Sequence, residues 1–222
     1  TAYVRALERS DGDGVVAVHI SRHLSATWKS ARQSADEFGD DVRVVDSRSA
    51  GLGTGFVALA AARAAQTGSG LEQVYQTAVD VAERARCFIA VDKLDQLRRG
   101  GRISTTQALL GTALVTKPLL HVVDGKLALR EKVRTSSKVL RKLADTAVSA
   151  AGADGAAVAV QHYGAAERAR ALTDELRQRI PSISELTVTE FGPTLAIHLG
   201  TGAVGVVVVP GGLTRPSDSS GH

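Results

Sequence analysis

The spacing of apolar positions changes repeatedly along this chain, and each change marks a different kind of element. Residues 15–20 (VVAVHI) are a short β-branched run preceded by the turn sequence SDGDG, which predicts a buried strand. In SRHLSATWKSARQSADEF the period lengthens: Ala31, Ala35 and Phe38 fall on one helical face, with Ser25 placed as the N-cap. A second strand is predicted at 41–45. It leads into the glycine turn GLGTG, an alanine-rich helix at 56–65, the turn TGSG and a further helix at 71–86. Strand, helix, strand, helix at this spacing predicts a parallel sheet with helices packed upon it. A short helix at 2–9 precedes them.

From Cys87 the texture becomes that of a mixed sheet. CFIAVDKL predicts a strand, residues 119–123 and 126–130 flank a DG turn, and residues 136–150 predict a helix. Further strands are expected at 156–162, 186–191, 194–198 and 204–209, with a helix at 165–179 between the first two. The expected fold class is α/β, as two α/β domains. Residues 1–86 carry a mainly parallel sheet, residues 87–215 a mixed sheet of about six strands, and 216–222 a frayed polar tail.

Composition narrows the function classes. With 222 residues, 44% hydrophobic and 23% charged, the chain has ample material for a buried core. No apolar stretch reaches the ~20 residues of a membrane span, so no transmembrane segment is expected. The net charge of +4 raises nucleic acid as a partner, but the cations are spread along the chain and aromatics make up only 4%, so none is expected. Cys87 is the single cysteine; no internal disulfide can form, and a cytoplasmic location is expected. Its apolar setting, CFIAV, argues against a catalytic thiol. No cysteine and histidine spacing suits zinc, so neither a metal nor a cofactor is expected. The chain contains no methionine and begins TAYVRALERS, already helical in pattern, and is read as lacking its natural N-terminus.

The densest candidate chemistry lies in residues 94–135. Arg98, Arg99, Gly100, Gly101 and Arg102 offer guanidinium forks and backbone N–H groups suited to carboxylate or phosphate oxygens. Leu109, Leu110, Leu114, Val115, Leu119 and Leu120 follow and could wall a pocket for an alkyl chain, although a helix and strand facing an ordinary core would read the same way. Ser25, at a helix start beside unpaired N–H groups, either receives an anionic oxygen or caps its own helix. His198, placed at a strand end before a glycine turn, either donates to a carboxylate or is satisfied by local backbone. The GLGTG loop stands where a dinucleotide site would, but its glycine offsets fit a tight, closely packed turn better.

Taken in order, these segments resemble the DegV family of fatty-acid-binding proteins along essentially the whole chain. HISRHLSATWKSA resembles the family's ISSxLSGTYQSA, VVDSRSAGLGTG its DS-S-x-G-x-G segment, and VDKLDQLRRGGRIS its DxLxxLxxGGRIS signature; KPLL, DGKL, KVRT and HLGTGAVGV match later blocks. The departures are Ala26 for a glycine, Trp28 for a tyrosine, and Thr201 for the proline of HxGPG. The family's leading strand with a TDS motif and its TSQPS segment, whose threonine contributes to carboxylate binding, have no counterpart here unless Thr1 is a remnant.

The resemblance implies a non-enzymatic lipid carrier. A long-chain fatty acid such as palmitate or oleate lies in a tunnel between two domains, its carboxylate held by Ser25 and His198, with Arg102 and Lys117 as helpers and Leu109 and Leu114 along the chain. The implied partner is a fatty acid kinase, which phosphorylates the presented carboxylate for phospholipid synthesis; Arg98, Arg99 and Arg170 are its candidate docking cations. Two rivals remain. One is a serine hydrolase of acyl esters using Ser25, His198 and Asp46, although HLSAT is no GxSxG elbow; the other is a nucleotide-binding domain at GLGTG.

Overall fold

The computed structural model describes residues 2–103 and 116–214. The chain opens with α1 (Ala2–Leu7), β1 (Val15–His19) and α2 (Thr27–Ala35). A 3-10 segment (Asp36–Asp41) then leads to β2 (Val42–Asp46), α3 (Leu52–Gln66) and α4 (Leu71–Arg84). Strands β1 and β2 pair in parallel, from Val15 opposite Val42 to His19 opposite Asp46, and α3 and α4 pack against this pair. The parallel crossover expected from the strand and helix spacing is therefore present.

The rest of the chain builds a larger sheet from β3 (Arg86–Ala90), β4 (Lys117–Val123), β5 (Lys126–Val133), β6 (Ala156–His162), β7 (Ile183–Glu190) and β8 (Val204–Pro210). Its six strands run in the order β5-β4-β3-β8-β6-β7, with β6 and β7 parallel and the other neighbours antiparallel. Its helices are α5 (Asp95–Arg99), α6 (Ser136–Ala151), α7 (Ala166–Arg179) and α8 (Pro193–Leu199). Side chains alternate faces along each strand. Cys87, Ile89, Ala157, Ala159, Val207 and Val209 join the core under α3 and α4. Phe88, Ala90, Val158, Val160, Val206 and Val208 join the core under α6 and α7. The first core continues into Val45, Phe56, Val57 and Val81, so one apolar cluster runs across position 86.

The two sheets are also tied by polar contacts at the β4–β5 turn. Asp124 (φ 49) and Gly125 (φ 75) form the two-residue connection, a left-handed pair that glycine enters without steric cost. Into this turn fits the loop after β1: the buried Ser21 hydroxyl donates to the Gly125 carbonyl at 2.7 Å. The loop after β2 adds an Arg48–Asp124 ion pair at 2.8 Å. No helix among the described residues is long and apolar enough to cross a membrane.

Several local expectations are corrected. Residues 194–198 are not a strand but the middle of α8: Gly192 is extended at ψ 159, Pro193 takes the first helical position, and Ala196 and Leu199 are buried three apart. The apolar residues of TLAIHL satisfy both periods, and the Gly-Pro start signal decides between them. Helix α3 begins at Leu52 rather than at 56, with Gly53 and Gly55 inside its first turns. The strand expected over CFIAVDKL stops at Ala90, and a short helix, Asp95–Arg99, follows it. The N-cap of α2 is Ala26, one residue later than expected.

Candidate functional site

The face of the large sheet that carries Cys87, Ile89 and Val207 is the floor of a cavity of about 200 Å³. Its cover comes from three places distant in sequence. The loop after β1 and the start of α2 supply Ile20, Leu24, Ser25 and Thr27; α5 and the residues after it supply Leu97 and Arg102; α8 supplies Leu195, His198 and Leu199. Helices α5 and α8 pack together, so the second and third groups share one support. The walls are mostly aliphatic, while hydroxyl, imidazole and guanidinium groups all reach the same space.

The sequence-chosen residues among those described each have a definite place. Ser25 and His198 line this one cavity, and so does Arg102. The Ser25 hydroxyl is 2.7 Å from the Thr27 hydroxyl and accepts the Thr27 N–H at 3.2 Å, so it closes a local turn just ahead of α2. His198 rests its ring edge on Gly100: a Cβ built there would lie 2.7 Å from Nδ1 and 3.0 Å from Cε1. The absent side chain at Gly100 is therefore what lets the imidazole occupy its position.

The glycines of the RRGGR segment do something other than offer free N–H groups. Gly100 N–H bonds to Gln96 O, Gly101 N–H to Arg98 O and Arg102 N–H to Leu97 O, with Gly101 at φ 69. This is a Schellman closure of α5, and it uses the donors that the sequence made available to an anion. The Arg102 guanidinium donates to Gly100 O and, at 3.3 Å, to Leu24 O, which joins the end of α5 to the Ser25 loop. Lys117 is not among the lining residues; its ammonium pairs with Asp92 at 2.9 Å. Leu119 and Leu120 are fully buried in the two opposite cores rather than in the cavity wall. Leu109, Leu110, Leu114 and Val115 lie outside the described residues.

Three polar residues not singled out from sequence also line the cavity, Thr27, Gln161 and Thr194. Thr27 was visible as a second hydroxyl two residues from Ser25. Gln161 was visible as a polar residue at an inward position of AAVAVQH. Its Oε1 accepts the Leu52 N–H at 2.7 Å and thereby closes the N-terminus of α3. The GLGTG loop is thus a tight turn whose first free N–H is already taken. Gly53 packs so closely on Ser49 that a Cβ would overlap the Ser49 hydroxyl. Asp46, the acid a hydrolase would need, accepts the Arg48 N–H at 2.9 Å and pairs with Arg22 at 3.4 Å, and is not among the lining residues. Burial pushes the Cys87 thiol up to about 12, against a weaker opposing effect of a hydrogen bond with Ser49, so it is no nucleophile near neutrality.

Fold and cavity together define an α/β protein with a largely aliphatic cavity whose polar groups gather from the segment between β1 and α2, the turn after α5, β6 and α8. The chain belongs to the DegV family: it matches the family model described as "Uncharacterised protein, DegV family" over residues 1–211. A DegV domain-containing protein of Mycobacterium tuberculosis is 50% identical over 207 residues, covering 93% of this chain and 74% of that protein. The crystal structure of a DegV family protein from Corynebacterium glutamicum superposes with a TM-score of 0.88 at 40% identity, covering 94% of this chain and 80% of that one. A DegV family protein from Thermus thermophilus, described for its fatty acid binding, superposes with a TM-score of 0.87 at 31% identity, covering 94% and 74%.

Proposed function

We propose that this protein binds a long-chain fatty acid in the cavity, with the carboxylate at Ser25 and His198 and the alkyl chain along the aliphatic floor. The observation that carries this reading is the convergence of Ser25, Thr27, Arg102 and His198 on one largely aliphatic space. Hydroxyl and imidazole donors suit a carboxylate, and each buried methylene contributes roughly 0.8 kcal/mol. The fatty-acid binding described for the Thermus thermophilus relative supports it.

The protein then acts as a carrier that presents its acid to a fatty acid kinase in the cytoplasm, its two α/β units (1–86 and 87–215) enclosing the chain. Arg102 steadies the Ser25 loop through Leu24 O, and Lys117 has a structural role through Asp92. The hydrolase alternative loses support because Asp46 is engaged with Arg22 and Arg48. The nucleotide alternative loses support because Gln161 occupies the start of α3.

The test is native mass spectrometry of the purified chain, followed by binding of palmitate and oleate to wild type, Ser25→Ala and His198→Ala. Each single variant should weaken binding about tenfold or more, from the loss of a hydrogen bond to a charged group, with an unchanged melting temperature. Undiminished binding in the double variant would place the head group elsewhere.

A further inference from the structure

Gln161 is the polar exception on the cavity floor. It is 5% exposed and sits in β6 opposite Thr189 of β7 and Gly205 of β8. Ala157 and Ala159, which share its strand face, belong to the apolar core. The backbone fixes which way its amide is turned: Oε1 takes the Leu52 N–H at 2.7 Å, leaving the NH2 end for other partners. Among the described residues that NH2 has no hydrogen-bond partner, and the residue lines the cavity. Closing the start of α3 requires only an acceptor. An amide brings two N–H donors with it, and a purely hydrocarbon ligand would leave them unanswered.

We propose that the cavity selects acyl chains bearing an oxygen substituent, keto or hydroxyl, partway along their length, and that Gln161 Nε2 is the donor that reads it. The proposal rests on the fatty-acid reading above and names the kind of acid. Gly205, beside Gln161, has no side chain, and a Cβ there would lie 2.9 Å from the Phe191 ring; this keeps Phe191 against the floor next to the amide. The donor thus sits within an aromatic and aliphatic stretch of the wall, where a ligand carbonyl oxygen could accept from it.

The experiment uses stearate and a series of its keto positional isomers, each displacing a fluorescent fatty acid from the full chain. Keto probes are chosen because they only accept hydrogen bonds. Wild type should bind at least one isomer about fivefold tighter than stearate, the size of one net hydrogen bond. Gln161→Met should lose that preference, read as the ratio of keto-isomer to stearate affinity within the variant. Gln161→Glu, which keeps an acceptor for Leu52 and so protects α3, should lose it too at pH 8. The proposal is overturned if no isomer outcompetes stearate on wild type, or if either variant keeps the preference. Failure of stearate to bind wild type would instead bring down the fatty-acid reading, and this inference with it.

Discussion

Replacing Gly100 by alanine separates a packing role for the twin glycine from a role in forming the turn. Gly100 lies at φ −75, ψ −7, a right-handed conformation open to any residue, so the substitution introduces no backbone strain. Through the unfolded chain alone it should stabilise by about 0.4–1 kcal/mol. The new Cβ, however, would stand 2.7 Å from His198 Nδ1, where ordinary contact begins near 3.4 Å, and Gln96 O at 3.2 Å bars retreat on the other side. The imidazole must therefore move by about 0.7 Å or rotate away, enough to break a hydrogen bond to a bound carboxylate. A bond to a charged group is worth about 1.5–3 kcal/mol, which corresponds to roughly tenfold to a hundredfold in affinity. Isothermal titration with palmitate measures this loss, and a thermal melt in parallel should show a near-unchanged midpoint. In the His198→Ala background Gly100→Ala should cost no more than about 0.5 kcal/mol, since its target has gone. Equal affinity of Gly100→Ala and wild type, or an equal loss in both backgrounds, would refute the link between this glycine and the histidine.

Two further outcomes follow from the electrostatics. With its thiol at about 12, native Cys87 should react with iodoacetamide at pH 8 about a thousandfold more slowly than after unfolding in guanidinium; labelling at the unfolded rate would contradict the burial assigned to it. His19 and His121 are both held below the usual imidazole value of 6.5, in each case first by burial and for His121 also by Arg130. The folded state then binds fewer protons than the unfolded one. The stability these residues contribute is complete above pH 6.5 and is lost as pH falls through their folded values, so the melting temperature should drop on acidification from pH 7. His121→Leu should flatten part of that fall, and a melting curve insensitive to pH between 7 and 5 would count against it.

Much of the fold was legible because its signals are local. The β-branched runs VVAVH and VGVVVV, the DG turn and the amphipathic repeat of α6 each determine an element through period and turn chemistry. Where TLAIHL satisfied both periods, a weak pattern misled, and Pro193 at the helix start was the better guide. The glycine-rich RRGGR segment was read as an anion cradle because its N–H groups are countable in sequence while their partners are not. Their acceptors lie in the preceding turn of α5, a helix that was not expected from sequence.

The sequence by itself determined the family, the α/β alternation, the large mixed sheet and three of the polar residues that line the cavity, Ser25, Arg102 and His198. Periodicity and short motifs depend only on neighbours along the chain, and they survive without coordinates. Only the tertiary structure decided that Arg102 reaches across to Leu24, that Lys117 turns away to Asp92, and that Gln161 closes α3 from the cavity floor. Those contacts join segments up to 109 positions apart, where the partner of a polar group is set by how helices and sheets stack and by no local rule.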